Sequence, residues 1–263
     1  TLARDTVFAA VMITCNGIMG LSILLGSIKH EITHFNAEGS GGALATVVVL
    51  AGTCLVLPGF TLGEPGPQFT GPQLAFSAVA SLMLYGLFIS TQTRRHRDFF
   101  LPVTPQGTVI SVDDDHATPP SSRAAVSSLG LLVVALIAVV GLAKVESPAI
   151  EAAVSAAGFP ATFVGVVIAL VVLAPESIAA AKAARRNRLQ TSLNLALGSA
   201  MASIGLTIPT LALASLWLPG ELLLGLGPTE LVLLAMTVVV ALLTTVPGRA
   251  TRLQGGGHLV LLA

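Results

Sequence analysis

Charge, aromatic side chains and cysteine are all scarce in this sequence. Charged residues occupy only 10% of the 263 positions and aromatic residues 5%, whereas hydrophobic residues occupy 54%. Soluble domains carry about 25% charged residues, and the mean hydropathy here is +0.88. Such a chain cannot bury its apolar surface inside one water-exposed globule. The composition therefore excludes an ordinary soluble domain and predicts a polytopic membrane protein.

Net charge and cysteine use argue against two further kinds of site. The formal net charge is zero, so overall charge gives no attraction for nucleic acid, and we expect no nucleic-acid partner. Cys15 and Cys54 are the two cysteines, and both lie inside apolar runs. Thiols in such runs more often fill the protein interior than form a disulfide or a metal site.

The two ends of the chain carry neither an initiator methionine nor a signal-peptide pattern. The chain opens on TLARDTVFAAV and closes on HLVLLA, a few residues into an apolar run. Because a spanning helix needs about 20 apolar residues, we expect the chain to be truncated at both ends.

Seven apolar runs are long enough to cross a bilayer as helices, which satisfy their own backbone hydrogen bonds in lipid. We predict these spans near residues 6–28, 42–62, 72–91, 126–146, 160–181, 192–218 and 228–246, with a partial span from 258. The predicted fold is therefore all-α, a polytopic transmembrane helical bundle.

Basic residues fall almost entirely on one side of these spans. Eleven of the 13 Lys and Arg residues lie in alternate connections, namely 29–41, 92–125, 182–191 and 247–257. Only Arg4 and Lys144 lie on the other side. The positive-inside rule assigns the basic connections to the cytoplasm, and the clean alternation supports the span assignment.

The connection at 92–125 contains the stretch SVDDDHATPPSS. Clustered acid, proline and serine are typical of a flexible linker, so we predict that it separates two halves, residues 1–91 and 126–263. The acidic run could hold divalent cations loosely, but a solvated loop is the favoured interpretation.

Glu176 stands inside an apolar run, directly after Pro175, and the next charge along the chain is Lys182. A charged side chain at the membrane centre costs about 2.5–3.5 kcal/mol or more, so it usually marks an ion or proton path. Pro175 removes a backbone donor, which predicts a helix break that frees carbonyl oxygens for a cation. The alternative is a glutamate that extends to the cytoplasmic interface, for which its side chain is short.

The next span, TSLNLALGSAMASIGLTIPT, carries Asn194 and the hydroxyl residues Ser199, Ser203 and Thr207. The three hydroxyl residues are four positions apart and therefore share one helix face. On this span alone they are typical of helix packing. Beside Glu176 in a helical hairpin, however, their oxygens would suit a hard cation.

At these residues the sequence resembles the calcium/cation antiporter superfamily, in particular the bacterial Cha-type calcium/proton and sodium-potassium/proton antiporters. The resemblance lies in VLAPESIAAAKAARRNRLQTSLNLALGSAMASIGLTIP, residues 172–209, and in TLARDTVFAAVMITCNGIMGLSILLG, residues 1–26. It implies an inverted-repeat antiporter fold, in which each repeat has an acidic helix followed by a polar helix. Two glutamates would bind cation and proton in turn at mid-membrane.

By this resemblance Glu176 is the acidic residue of the second repeat. The predicted cation and proton site comprises Glu176, Ser199, Ser203, Asn16 and Asn194, with Pro175 as the helix break and no resident metal. Asn16 enters the set because its helix would be the polar helix of the first repeat. Laying VMITCNGIMGLS over GSAMASIGLTIP places Asn16 at the position of Ser203. Two features depart from the family pattern. The first acidic helix would precede Thr1, and Ala202 stands where many relatives carry glutamine.

The resemblance implies a secondary active transporter and not an enzyme. The protein would exchange calcium, or sodium and potassium, for protons across the cell (inner) membrane as a multi-pass protein. Its partners would be the lipid bilayer and inorganic cations, with no cofactor besides the transported ions. The cation stays open because calcium, sodium and potassium all accept oxygen ligands, and the sequence does not indicate an oligomeric state.

Two functions of other classes remain open at this point. The stretch KHEITHF contains H-E-x-x-H from His30 to His34, which on a helix would place two imidazoles on one face for zinc, with Glu31 as base. An intramembrane metalloprotease would follow, with Glu38 or the run at 113–115 as third ligand. The other function is a non-transporting membrane scaffold, which explains the small residues but not the buried glutamate.

Overall fold

The computed structural model describes residues 2–104, 106–110, 121–161, 163–217 and 220–263, and most of them are helical. The α-helices are α1 Leu2–Met12, α2 Met19–His30, α3 Ala37–Ala51, α4 Gly71–Ser90, α5 Ser122–Ala156, α6 Phe163–Arg185, α7 Leu189–Ala214, α8 Pro228–Thr245 and α9 Arg252–Leu262. Short π-helical segments occupy Ile13–Ile18, Gly52–Val56 and Thr91–Arg95, and 3-10 turns occupy Leu57–Phe60 and Arg97–Phe100. Two strands, β1 Thr33–His34 and β2 Arg249–Ala250, pair antiparallel.

Six helical stretches of the described residues are long and apolar enough to cross a membrane. They are Leu2–Ile28, Ala37–Phe60, Gly71–Arg95, Phe163–Arg185, Leu189–Ala214 and Pro228–Thr245. The predicted span at 126–146 lies within α5 but is not among these six. The partial span predicted from 258 is α9, which begins at Arg252 instead. The prediction of an all-α polytopic bundle is confirmed.

Capping side chains mark the starts of α3 and α4. The Asn36 side-chain oxygen accepts from the backbone N–H groups of Glu38 and Gly39 at the start of α3, at 3.0 and 3.3 Å. Thr70 and Gln73 form a capping box at the start of α4. Such caps satisfy amide groups that the first helical turn leaves without partners.

The connections that the sequence assigns to one side of the membrane meet at one end of the bundle. β1 pairs with β2, with Thr33 opposite Ala250, which joins the connections at 29–41 and 247–257. Gln190, at the start of α7, accepts from the Asn36 backbone N–H at 2.6 Å. At the opposite end, a β-bridge pairs Gln68 with Leu223. The alternation of basic and non-basic connections therefore corresponds to two ends of the fold.

α7 is the central helix and contacts the rest of the bundle on two faces. Its residues Leu197, Met201 and Ile204 are fully buried in the core formed with α3 and α4. Ala196 on the other face packs with Ile13 and residues of α6. Because side chains of α7 reach both halves of the chain, it is the element that positions polar groups between them.

The structure corrects the predicted helix break at Pro175. α6 runs from Phe163 to Arg185 with Pro175 inside it and no interruption. Proline still lacks an N–H, so the carbonyl of Val171 receives no helical hydrogen bond from position 175. Ser177 lies two residues beyond the proline, and its hydroxyl donates to the Leu173 carbonyl at 2.7 Å. Packing against neighbouring helices holds the helix continuous, as spanning helices with proline often require.

The H-E-x-x-H stretch does not form a zinc-binding helix. His30 is the last residue of α2, Glu31 has a positive φ of 59°, and His34 lies in β1. The two imidazoles therefore do not share one face of a helix, as zinc coordination by this motif requires. Nor do the described ranges hold any group of three His, Cys, Asp or Glu side chains that could hold a metal ion. The acidic run at 113–115 lies outside the described residues.

Candidate functional site

Three helices meet at a buried serine pair that fixes their relative positions. The Ser192 Oγ of α7 lies 2.5 Å from the Ser22 Oγ of α2 and 3.0 Å from the Ala180 carbonyl oxygen of α6. Both hydroxyl groups are fully buried, where an unpaired polar group would be costly. We call these three residues the serine junction.

α6 runs parallel to α1 and α2, whereas α7 returns antiparallel. Gly165 of α6 approaches the Thr6 backbone, and Gly26 of α2 approaches the Ala184 carbonyl, which places like ends together. A Cβ at Gly165 would lie 2.9 Å from the Thr6 nitrogen, so only glycine permits this approach. Small residues at such contacts bring spanning helices close to each other.

Three of the predicted site residues lie at a similar depth in the bundle. Counted from the serine junction at about 1.5 Å per residue, Glu176 lies ~6 Å along α6, Asn16 lies ~9 Å back along the first span, and Ser199 lies ~10 Å along α7. Because α6 and the first span are parallel and α7 is antiparallel to them, all three residues lie on the same side of the serine junction along the bundle axis. Each residue is near the middle of its own helical stretch.

Glu176 is partly buried and has an unsatisfied oxygen. Its Oε2 is shielded from solvent and has no hydrogen-bond partner among the residues that the structure describes. Its neighbours Leu173 and Ala180 on α6 pack against Ile13 and Ile18 of the first span, which places the carboxylate's helix directly beside the π segment. A buried carboxylate oxygen without a partner is destabilising unless something binds it. Within the described ranges no ion pair forms with Glu176.

Ser199 and Ser203 present hydroxyl groups that are not used elsewhere in the described structure. Both are partly buried, and neither forms a hydrogen bond within the described ranges. Hydroxyl residues in helices usually donate to the carbonyl four residues earlier, as Thr210 does to Leu206 at 2.7 Å. Ser199 lies seven positions after Ser192 and therefore on the same helix face, the face that meets α2 and α6.

Asn16 is fully buried within the π-helical segment Ile13–Ile18. Its Nδ2 donates to the Thr237 Oγ1 at 2.8 Å, and its Oδ1 lies 3.1 Å from the His258 Nδ1. Single-turn π segments often occur at functional sites because they rotate side chains out of helical register. The amide is thus directed toward α8 and α9, and no hydrogen bond joins it to Glu176 in the described structure.

Asn194 is not brought together with the other predicted residues. Its Nδ2 donates to the Phe100 carbonyl at 2.8 Å, and its Oδ1 accepts from the Gln190 Nε2 at 2.9 Å. Asn194 is two positions from Ser192 and so lies on a different face of α7. It anchors the turn at Arg97–Phe100 to α7.

Sequence reasoning missed His258 and Thr237, the two partners of Asn16. His258 is fully buried in α9, and Thr237 is buried in α8. The signal for His258 was an ionisable residue at the start of the apolar run HLVLLA, since ionisable residues in spanning segments are usually functional. Their contact with Asn16 was invisible because it joins residues more than 200 positions apart.

A cleft of about 580 Å³ approaches the site between α1, α6, α8 and α9. Its lining includes the acidic residues Asp5 and Glu230 at one end and reaches Met12 and Ile13. The Met12 sulfur lies 3.7 Å from the Asn16 Nδ2. The Asp5 carboxylate forms an ion pair with Arg4, whose Nη2 lies 2.7 Å from Oδ1. Of the two lining carboxylates, Glu230 is therefore the one that can attract cations to the cleft.

Comparison with known proteins identifies the family of this chain. The profile of the family described as "Sodium/calcium exchanger protein" matches residues 1–94 and 127–263. The chain belongs to the sodium/calcium exchanger family. This exchanger is accordingly a secondary active transporter of the calcium/cation antiporter superfamily and not an enzyme, and it is a multi-pass protein of the membrane, which in bacteria is the inner membrane.

Named relatives of this exchanger cover nearly the whole chain. The putative ionic transporter y4hA of Sinorhizobium fredii (strain NBRC 101917 / NGR234) is 46% identical over 99% of the chain and 69% of the relative. The sodium-potassium/proton antiporter ChaA of Escherichia coli (strain K12) is 32% identical over 100% of the chain and 70% of its own length. The Ca(2+)/H(+) antiporter of Aphanothece halophytica is 24% identical over 97% of the chain and 70% of its length.

Two solved structures share the fold of this exchanger. Native YfkE superposes with a TM-score of 0.69 at 18% identity, covering 99% of the chain and 72% of YfkE. The H+/Ca2+ exchanger CAX superposes with a TM-score of 0.68 at 17% identity, covering 99% of the chain and 63% of CAX. These similarities show that the three-dimensional arrangement of the helices is shared.

Proposed function

We propose that this exchanger is a cation/proton antiporter whose exchange site contains Glu176, Ser199, Ser203 and Asn16. The observation that carries the proposal is the buried, unpartnered Oε2 of Glu176. Ser199 of α7 and Asn16 of the π segment between α1 and α2 lie at a similar depth, and both elements pack against α6. Asn194 is left out because both ends of its amide are bound to other groups.

The chemistry of this set suits a hard cation. Carboxylate, hydroxyl and amide oxygens are the ligands that calcium, sodium and potassium accept. The named relatives include one sodium-potassium/proton antiporter and one calcium/proton antiporter, which supports a cation of this class for the present chain. The Val171 carbonyl, which lacks a helical donor because of Pro175, is a further oxygen near this level of α6.

Exchange follows from the two states of one carboxyl group. Ionised Glu176 offers two oxygens to the cation, and hydroxyls such as that of Ser199 complete its coordination. When the cation leaves, a bare carboxylate in a low-dielectric environment is strongly unfavourable. Proton binding neutralises it, so the empty site returns across the membrane protonated. Cation and proton therefore occupy the same group in turn.

The test is cation-driven proton movement in everted membrane vesicles that contain the protein. Addition of Ca²⁺, Na⁺ or K⁺ to vesicles with an imposed proton gradient should dissipate the gradient for at least one of these ions, with saturation as the ion concentration rises. Vesicles from cells that lack the protein are the control. Absence of any difference between the two for all three ions would disprove antiport.

A further inference from the structure

His258 is a buried imidazole that the exchange chemistry above does not use. It lies in α9 and is fully buried, as is Asn16. Its ring bridges two elements: Nδ1 lies 3.1 Å from the Asn16 Oδ1, and Nε2 lies 3.1 Å from the Thr244 Oγ1. An imidazole placed between two specific partners in an apolar interior is expected to fix the position of at least one of them.

The hydrogen-bond roles within this cluster follow from the chemistry of each group. The Asn16 Nδ2 donates to the Thr237 Oγ1 at 2.8 Å, so the amide oxygen is the atom that faces His258. An amide oxygen can only accept, and Nδ1 must therefore carry a proton. In the neutral ring Nε2 is then an acceptor. The Thr244 hydroxyl can supply a donor to it, or donate to the Val240 carbonyl at 2.8 Å.

These contacts hold the Asn16 amide in one orientation. A flip of the amide would place its NH₂ group against the protonated Nδ1 of His258 and its oxygen against the Thr237 hydroxyl. The first of these contacts would set donor against donor, which a buried site does not tolerate. The amide oxygen keeps a second lone pair after accepting from His258. In the proposed exchange site, that lone pair is what Asn16 would offer to the cation.

Close packing of α2 against α9 permits the contact between His258 and Asn16. Gly20 of α2 lies against α9, and a Cβ added there would lie 2.7 Å from the Cβ of His258. Gly255 of α9 lies against α2 in the same interface, where a Cβ would lie 2.8 Å from the Leu24 nitrogen. The two glycines let the helices approach closely enough for the imidazole to reach Asn16.

We propose that His258 is a positioning residue of the exchange site, which holds the Asn16 amide oxygen in the orientation that serves the cation. This inference rests on the proposed function, because Asn16 is a member of the proposed site. A correctly oriented ligand lowers the cost of organising the site when the cation binds. Loss of the contact should therefore weaken cation binding more than it slows maximal exchange.

Two substitutions distinguish the roles of the imidazole nitrogens Nδ1 and Nε2. His258→Asn keeps a short amide near the position of Nδ1 and can still donate to Asn16, whereas His258→Gln places its amide near Nε2 and retains only the partner Thr244. His258→Gln should raise the cation concentration for half-maximal proton flux about tenfold, since one buried hydrogen bond is lost. His258→Asn should recover most of that affinity. Thr245→Val is the matched control, because the Thr245 hydroxyl donates within its own helix.

The inference fails if both His258 variants show the wild-type half-maximal concentration, or if both lose maximal flux and detergent-solubilised stability together, which would mark a purely structural contact. His258→Gln should also add nothing further in an Asn16→Ala background, and an additive effect would overturn action through Asn16. These outcomes are measured in vesicles whose wild-type protein exchanges. Absence of wild-type exchange would instead disprove the proposed function itself.

Discussion

The Ser192 Oγ lies 2.5 Å from the Ser22 Oγ, in a contact that joins positions 170 residues apart. This contact sets α7 in register with the first span, and Ser192 also reaches the Ala180 carbonyl of α6. The serine junction therefore determines the common depth of three residues that lie on the same side of it, namely Glu176, Asn16 and Ser199.

Ser192→Ala should destabilise the bundle and reduce exchange. The substitution leaves the Ser22 hydroxyl without its α7 partner, and interhelical hydrogen bonds in membranes contribute about 0.6–2 kcal/mol. We expect a lower unfolding temperature in detergent and a several-fold lower exchange rate at matched protein levels. Thr210→Val is the control because the Thr210 hydroxyl bonds only within its helix and is exposed. Equal behaviour of both variants would mean that the junction does not set the register.

Hydropathy located most of the helices, because length and apolar content are local properties of the sequence. It placed the start of α9 at 258 instead of Arg252 because the run is opened by a capping box of Thr251 and Gln254 and by three glycines, which raise no hydropathy. The π segment at Ile13–Ile18 was also not predicted. Its extra residue per turn leaves no mark in an apolar sequence, although it determines where Asn16 faces.

The site was predicted only as far as local chemistry allows. Glu176 was found because a charge in an apolar run is conspicuous along the sequence. The expected break at Pro175 was wrong because proline removes only one hydrogen bond, while packing against α1, α2 and α7 keeps the rest of α6 helical. The contacts of Asn16 with Thr237 and His258, and of Asn194 with Phe100, join distant positions, and a pattern within one span cannot indicate them.

The topology can be tested with single cysteines at exposed positions. Arg97→Cys and Arg186→Cys should react with a membrane-impermeant maleimide only from the cytoplasmic side, and Glu64→Cys only from outside. Basic connections are retained in the cytoplasm, and the β-bridge from Gln68 to Leu223 places the region of Glu64 at the opposite end. The native cysteines are buried and provide the unlabelled background. Labelling of positions 64 and 186 from the same face would contradict the span assignment.

His30→Ala with His34→Ala should leave cation/proton exchange within about twofold of wild type, as is usual for substitutions away from a functional site. His30 ends α2 and His34 lies in the short strand β1, so the pair does not form a helical metal site. Proton flux and zinc content of the purified protein are the measurements. Loss of exchange together with loss of one bound zinc per chain would show that the motif binds metal after all.

Glu176→Gln should abolish exchange without preventing folding or insertion. The amide keeps the shape of the side chain but neither ionises nor balances the charge of a cation. Loss of one partner of a buried charge interaction costs about 3–5 kcal/mol, so flux should fall at least about a hundredfold. Glu176→Asp keeps the charge on a shorter side chain, so it should retain weak exchange with a raised half-maximal cation concentration.

Glu221→Gln removes an exposed carboxylate and should behave as wild type. Cation-driven proton flux in everted vesicles, at matched protein levels, is the measurement. Wild-type flux from Glu176→Gln would show that the unpartnered oxygen is a structural feature, and that another group carries cation and proton in turn.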